Sequence, residues 1–326
     1  MKRRDLIKSA VAGAGAALAG LQLEKSAGTS LPPAAAFTPC INQATTRKVD
    51  YTIAMDAYSK AGFRLVELWL DTVNLFLEKN SVAVARRVMA DLGLAPRSAC
   101  AECGNLFFRD VPEREKKWEA FERKLDMTAQ LGANRFVMCS GITKDVKPSD
   151  YTSAVPMLHD IGELGRKYGI VIGIEFMRGA KFLGSVETTA NLLHQVGHPN
   201  LGVLFDTFHF YAGISKLDDL ERLKPGEISW VHIDDVPPKP RELLDDNDRV
   251  YVGDGVIPLE KILPTIARIY QGPVSFEVFQ YADQDPYPVA KKGFDGLARL
   301  LSKLNESKAK LKPRDIHPIS ENGDPT

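Results

Sequence analysis

Residues 171–176 read V-I-G-I-E-F, residues 186–196 carry apolar side chains at helical spacing, and residues 202–206 read G-V-L-F-D. Two short apolar runs joined by an amphipathic helix make a βα repeat with parallel strands. Outward from this unit the same alternation continues. Strands are expected at 38–42, 65–69, 95–100, 135–139, 171–176, 202–206, 229–234 and 274–279, and helices near 51–61, 81–92, 113–131, 151–168, 186–196, 216–223, 259–269 and 287–304. Gly62, Gly93, Gly132, Gly169, Gly226 and Gly272 stand just before strands, in the position of a helix C-cap. Eight βα pairs within 37–304 predict a single-domain α/β fold, the (β/α)8 TIM barrel. An open doubly wound sheet would more often place a Gly-rich phosphate loop after its first strand, and there is none.

The 326 residues balance 42 Lys plus Arg against 42 Asp plus Glu, with 44% hydrophobic residues and four Cys. That composition excludes a disordered chain and a disulfide-dense scaffold, and it disfavours a dedicated nucleic-acid binder. The start, M-K-R-R-D-L-I-K, precedes an Ala/Gly-rich stretch too short and too Gly-broken to span a membrane. It resembles a twin-arginine export signal, expected over residues 1–30 with cleavage within 27–36. This predicts an exported, periplasmic bacterial protein that meets the twin-arginine export machinery. Removing residues 1–30, with five basic and two acidic residues, leaves 37 basic against 40 acidic, a net charge of −3. Residues 305–326 read as a polar tail.

Active sites of such barrels are built at the C-terminal ends of the strands. Strand five ends with Glu175, strand six with Asp206 and then His209, strand seven carries His232, and strand eight carries Glu277. Each interrupts an apolar run, where an unpaired charge costs several kcal/mol. Any one of them has an ordinary structural reading. Three carboxylates and an imidazole on four adjacent strands need a shared positive partner, and a divalent cation supplies it. This oxygen-rich set favours manganese, with Mg, Co, Fe or Zn as alternatives, and no organic cofactor is expected.

The order Glu175, Asp206, His232, Glu277 resembles the xylose-isomerase-like TIM-barrel superfamily of sugar isomerases and epimerases. C-I-N-Q-A-T-T at residues 40–46 and D-D-N-D-R-V-Y-V-G-D-G-V-I-P-L at residues 245–259 are similar to its inosose isomerase-type members. The resemblance implies a metal-dependent isomerase or epimerase of a keto-sugar or keto-inositol. Proton transfer would pass through a metal-stabilised enediolate, with Glu175 and Glu277 removing and returning the proton. It also implies substrate contacts for His209 and Arg249. Asn42, Glu67 and Trp69, near the ends of strands one and two, are candidates to line the pocket, and a structural role for them stands equally open.

Two other readings share the ligand set: a dehydratase or lyase on a keto-inositol or 3-keto-glycoside, and a non-catalytic sugar-binding protein. Apurinic endonucleases of the superfamily share D-T-F-H, but they need further His ligands on the early strands, and His159, His194, His198 and His317 fall elsewhere. No nucleic-acid partner is expected, and a homo-oligomer is left open. Cys40, Cys100 and Cys139 are expected as buried thiols, with a Cys100–Cys103 disulfide as the alternative. Phe107 and Phe108 are read either as an apolar lid or as core.

Overall fold

The computed structural model describes residues 37–310 except Thr143, and side chains to residue 306. The signal-peptide reading of residues 1–30 and most of the tail lie outside the described residues. The strands are β1 (Phe37–Asn42), β2 (Leu65–Trp69), β3 (Ala95–Cys100), β4 (Arg135–Cys139), β5 (Val171–Glu175), β6 (Leu201–Asp206), β7 (Ile228–Ile233) and β8 (Gly272–Phe276). They form a closed parallel barrel in sequence order, sealed where Phe37 pairs Gly272 and Ile41 pairs Phe276. The helices among the described residues are α1 (Tyr51–Ala61), α2 (Leu70–Leu77), α3 (Val82–Asp91), α4 (Arg114–Leu131), α5 (Pro148–Tyr168), α6 (Val186–Val196), α7 (Thr207–Ala212), α8 (Leu259–Ile269) and α9 (Pro286–Lys310). None is long and apolar enough to cross a membrane.

Local chemistry explains the boundaries. Asp50 accepts from the backbone N–H groups of Thr52 and Ile53 to start α1, and Gly62, at φ 116°, ends it. Several expectations shift. Gly226 lies three residues beyond the cap of the 3-10 helix before it, and β8 ends at Phe276, so Glu277 follows the strand instead of lying within it. Residues 216–223 form a 3-10 helix at Leu217–Arg222, not an α-helix. Gly272 opens β8 instead of capping a helix. Helices α2 and α7 were not expected, and α9 runs on to Lys310, into the segment read as tail.

Because strand side chains alternate, one set faces the helices and the other the barrel interior. The outward set joins the large core that includes Ile41, Val66, Phe136, Ile172, Phe205 and Phe276. The inward set forms a smaller cluster of Cys40, Cys100, Val137, Leu204 and Trp230, with Leu65 and Trp69 against it. Phe107 and Phe108 are 0% and 7% exposed and pack on Phe182, so they belong to the core.

Candidate active site

Strand register brings the four expected ligands to one rim. Asp206 pairs with His232, Glu175 lies opposite Leu204, and Ile233 lies opposite Phe276, one residue before Glu277. All four side chains belong to residues no more than 5% exposed, and one donor atom from each lies within 4.8 Å of the others. His232 is central. Its Nδ1 lies 3.2 Å from Oε1 of Glu175, 3.6 Å from Oδ2 of Asp206 and 3.0 Å from Oε2 of Glu277. Its Nε2 lies 3.1 Å from Oε2 of Glu67 on the far side.

This electrostatic arrangement suits a divalent cation. Burial opposes a charged imidazole, yet Glu277 and Glu67, with bonds to Asp206 and Glu175, outweigh it and hold His232 protonated well above its ordinary range. For Asp206, burial pushes upward, but Arg249, His209 and His232 prevail and hold the carboxyl low. Burial wins at Glu277 and raises it, with only partial relief from His232 and Arg249. Three carboxylates therefore converge where positive charge is required, and three oxygens with one nitrogen form a fitting donor set for a divalent ion.

Each donor is itself held. Asp206 ends β6 and caps α7: its Oδ1 accepts the N–H of His209 at 2.8 Å, while its Oδ2 turns to the cluster. Asn42 donates from Nδ2 to Oε1 of Glu277 at 2.7 Å. The Cys139 thiol donates to Oε2 of Glu175 at 2.9 Å. Glu67 accepts from Trp230 Nε1 at 2.8 Å and Ser98 Oγ at 3.1 Å as well as facing His232. A carboxylate behind a ligating histidine fixes the ring and its tautomer.

For two of the three candidate pocket residues the structure favours the structural alternative. Glu67 and Asn42 are fully buried and do not line the cavity of about 520 Å³ above the cluster. Glu67 lies one inward position deeper than Trp69, and Asn42 is turned onto Glu277. Trp69, His209 and Arg249 do line that cavity, together with Glu175, His232 and Glu277.

Arg249 is 1% exposed, stacked between Phe208 and Phe279 with its guanidinium carbon 4.6 and 5.0 Å from the ring centroids. It donates to Asp206 Oδ2 at 2.7 Å and to Asp234. The segment bearing it folds around Asp235, whose carboxylate accepts from the N–H groups of Val236, Gly253, Gly255 and Ile257. Gly255 is obligatory there, since a Cβ would stand 2.2 Å from the Val236 carbonyl oxygen. The G-D-G sequence is thus the wrapping of a buried carboxylate.

Residues missed from the sequence are Asp234, Asp246, Cys139 and Trp230. Asp234 was legible, being two residues beyond His232 and so on the same face of the chain. Cys139, expected as a buried thiol, instead opens onto the cavity, and all four cysteines are free. A second grouping, His159, Glu163 and His198, has its carboxylate already committed to Arg166 and His198.

Residues 55–300 match the family model described as a xylose isomerase-like TIM barrel. Over 256 residues the chain is 29% identical to an inosose isomerase of Bacillus licheniformis, covering 74% of this chain and 88% of that protein. It is 28% identical to a 3-dehydroshikimate dehydratase of Pseudomonas putida, over 79% of this chain but 40% of that protein. Among solved structures, the IOLI protein with a zinc atom bound superposes with a TM-score of 0.75 at 24% identity, covering 82% of this chain and 99% of that one. Closed barrel, ordered strands and a match over most of its length together show that the chain belongs to the xylose isomerase-like TIM barrel family.

Proposed function

We propose that the protein is a divalent-metal-dependent isomerase or epimerase of a keto-sugar or keto-inositol. One observation carries the reading: Glu175 and Glu277 flank a single point, Nδ1 of His232, and both open onto the cavity. Glu175, Asp206, His232 and Glu277 would hold the ion, which when bound acts as a Lewis acid on the substrate carbonyl and acidifies the neighbouring C–H. Manganese suits the oxygen-rich set, and the zinc atom in the IOLI protein keeps zinc among the candidates.

The chain's own groups then move the proton. Each of the two glutamates has one oxygen fixed by a neutral donor, Cys139 for Glu175 and Asn42 for Glu277, and the other turned toward the centre. One removes the proton and the other returns it. Arg249, paired with Asp206 and Asp234, also lies 3.5 Å from Oε2 of Glu277, and His209, anchored through Nδ1 by the Arg178 N–H, lines the cavity that would hold the substrate. Export through the twin-arginine route, read from Arg3 and Arg4, is part of the same proposal.

Glu277→Gln keeps size and removes the base. Solvent deuterium exchange into an inosose or ketose is expected to fall about 10²- to 10⁴-fold. Undiminished exchange in a metal-loaded variant overturns the assignment. The Pseudomonas putida relative favours a second reading, elimination of water. NMR of products from a panel of keto-cyclitols, keto-glycosides and 3-dehydroshikimate separates exchange from elimination, and no turnover by metal-loaded protein would leave a binding role.

A further inference from the structure

We propose that Arg178 is a positioning residue: it latches the segment between β7 and α8 at the barrel mouth and so sets where His209, Asp246 and Arg249 meet the substrate. The inference rests on the isomerase reading and adds to it a residue that does not itself line the cavity. Arg178 stands three residues beyond Glu175, on the chain that leaves β5. Its backbone N–H donates to Nδ1 of His209 at 3.3 Å. Its guanidinium donates to two main-chain carbonyls of the other segment, Nη1 to Leu244 and Nη2 to Glu242 at 3.3 Å.

That segment needs such a hold. Its neck is closed where Asp235 and Val250 exchange N–H···O bonds of 3.2 and 2.8 Å, and the residues between them loop out with two 3-10 turns, Arg241–Leu243 and Asp246–Asp248. The Lys239–Asp248 pair at 2.7 Å lies wholly within the loop. Arg241 rests on Tyr211 of α7 from the solvent side, its guanidinium carbon 4.1 Å from the ring centroid. Arg178 instead grips the main chain on both sides of Leu243, two residues before Asp246, and a charged donor makes the stronger bond to a carbonyl.

What the latch sets is visible at the His209 ring. Nδ1 accepts from Arg178, so the hydrogen of the neutral imidazole sits on Nε2. Nε2 lies 3.8 Å from Oδ1 of Asp246 and 3.3 Å from Nη2 of Arg249, which itself donates to Asp246 at 3.3 Å. Arg178 thus reaches the ring at both ends, directly at Nδ1 and at Nε2 through the loop that delivers Asp246. His209, Asp246 and Arg249 line the cavity beside Glu277, whose Oε2 is 3.5 Å from Arg249 Nη1. A misplacement of about 1 Å in such groups costs on the order of 10²-fold in rate.

Arg178→Gln in manganese-loaded full-length protein keeps the backbone N–H and removes the latch. The kcat/KM for deuterium exchange into an inosose is expected to fall about 10- to 100-fold, mainly through KM. Manganese affinity by calorimetry is expected to stay at the wild-type value, since Arg178 donates to none of the four cluster residues. Arg178→Lys keeps the charge without the planar fork and should recover part of the loss; it carries the same comparison if the glutamine variant does not fold. Arg222→Gln, which breaks only a surface pair with Glu187, should change nothing. Trypsin reports on the loop directly: cleavage after Arg241, mapped by mass spectrometry on folded protein, is expected to be faster in Arg178→Gln than in wild type. Unchanged kcat/KM, unchanged cleavage after Arg241, or a loss of manganese affinity that matches the loss of activity overturns the proposal. The isomerase reading fails separately. If wild type exchanges no ketone while cleavage after Arg241 still rises in the variant, that reading falls and the latch stands.

Discussion

At Glu67 three donors converge, from His232, Trp230 and Ser98, and the residue's meaning lies in that convergence. It orients the imidazole so that Nδ1 faces the three carboxylates. Glu67→Gln is expected to weaken metal binding about 10- to 100-fold. Stability should fall by about 1–3 kcal/mol through the altered buried bonds. Chelator competition on the folded variant checks this, and an unchanged affinity would show that the ring needs no backing carboxylate. The four cluster residues were legible because a lone ionisable residue in an apolar strand must face inward at a strand end. Glu67 and Asn42 obey the same pattern, which fixes the face of the strand and not the depth along the barrel axis. Depth follows from the stagger between strands, so the sequence reading left a pocket place and a structural place open for both residues, and the structure sets them below and beside the cluster.

Among the elements, the segment between β7 and α8 has the most specific construction. It has little regular structure, yet it holds Arg249 in place by wrapping backbone N–H groups around the Asp235 carboxylate and by a bridge from Asp235 to Val250. Asp235→Ala leaves these donors without their acceptor and is expected to cost about 2–4 kcal/mol. Urea unfolding measures the loss, and a variant as stable as wild type would mean that the segment closes by other contacts. Strands and long helices were readable from periodicity, with boundaries mostly within a residue or two. The misses are short or abrupt. Helix α7 has six residues, too few to show a helical period, and α2 starts directly after Trp69 without a breaking residue, although Leu70, Val73, Phe76 and Leu77 carry the spacing.

For the molecule as a whole, the cluster joins β5, β6, β7 and β8, so a bound ion ties half of the barrel together. An ion that binds only the folded chain, at 100 times its Kd, adds about 2.7 kcal/mol. In a domain of this size that raises Tm by roughly 5 °C. The gain should grow with pH. His232 has a raised pKa, so its proton stabilises the ion-free fold fully below the ordinary value of 6.5, and that contribution fades as pH rises through the raised value. The ion must displace this proton and therefore competes best at higher pH. Thermal scans with manganese or zinc and with chelator, at pH 6 and pH 8, give the comparison. A gain that is absent, or equal at both pH values, contradicts the assignment.

The thread from His232 through Glu67 to Trp230 and Ser98 passes into the layer that elsewhere in such barrels serves packing alone. Trp230 sits among Cys40, Cys100, Val137 and Leu204, and by position it is an ordinary core residue. Its indole N–H makes it part of the site's charge balance. Sequence drift in this layer is consequently narrower than volume and hydrophobicity would allow: a phenylalanine at position 230 could fill the space and still leave Glu67 short of a donor. Within this layer Val137 answers to volume alone, whereas Trp230 and Ser98, both donating to Glu67, change only together with the balance they support.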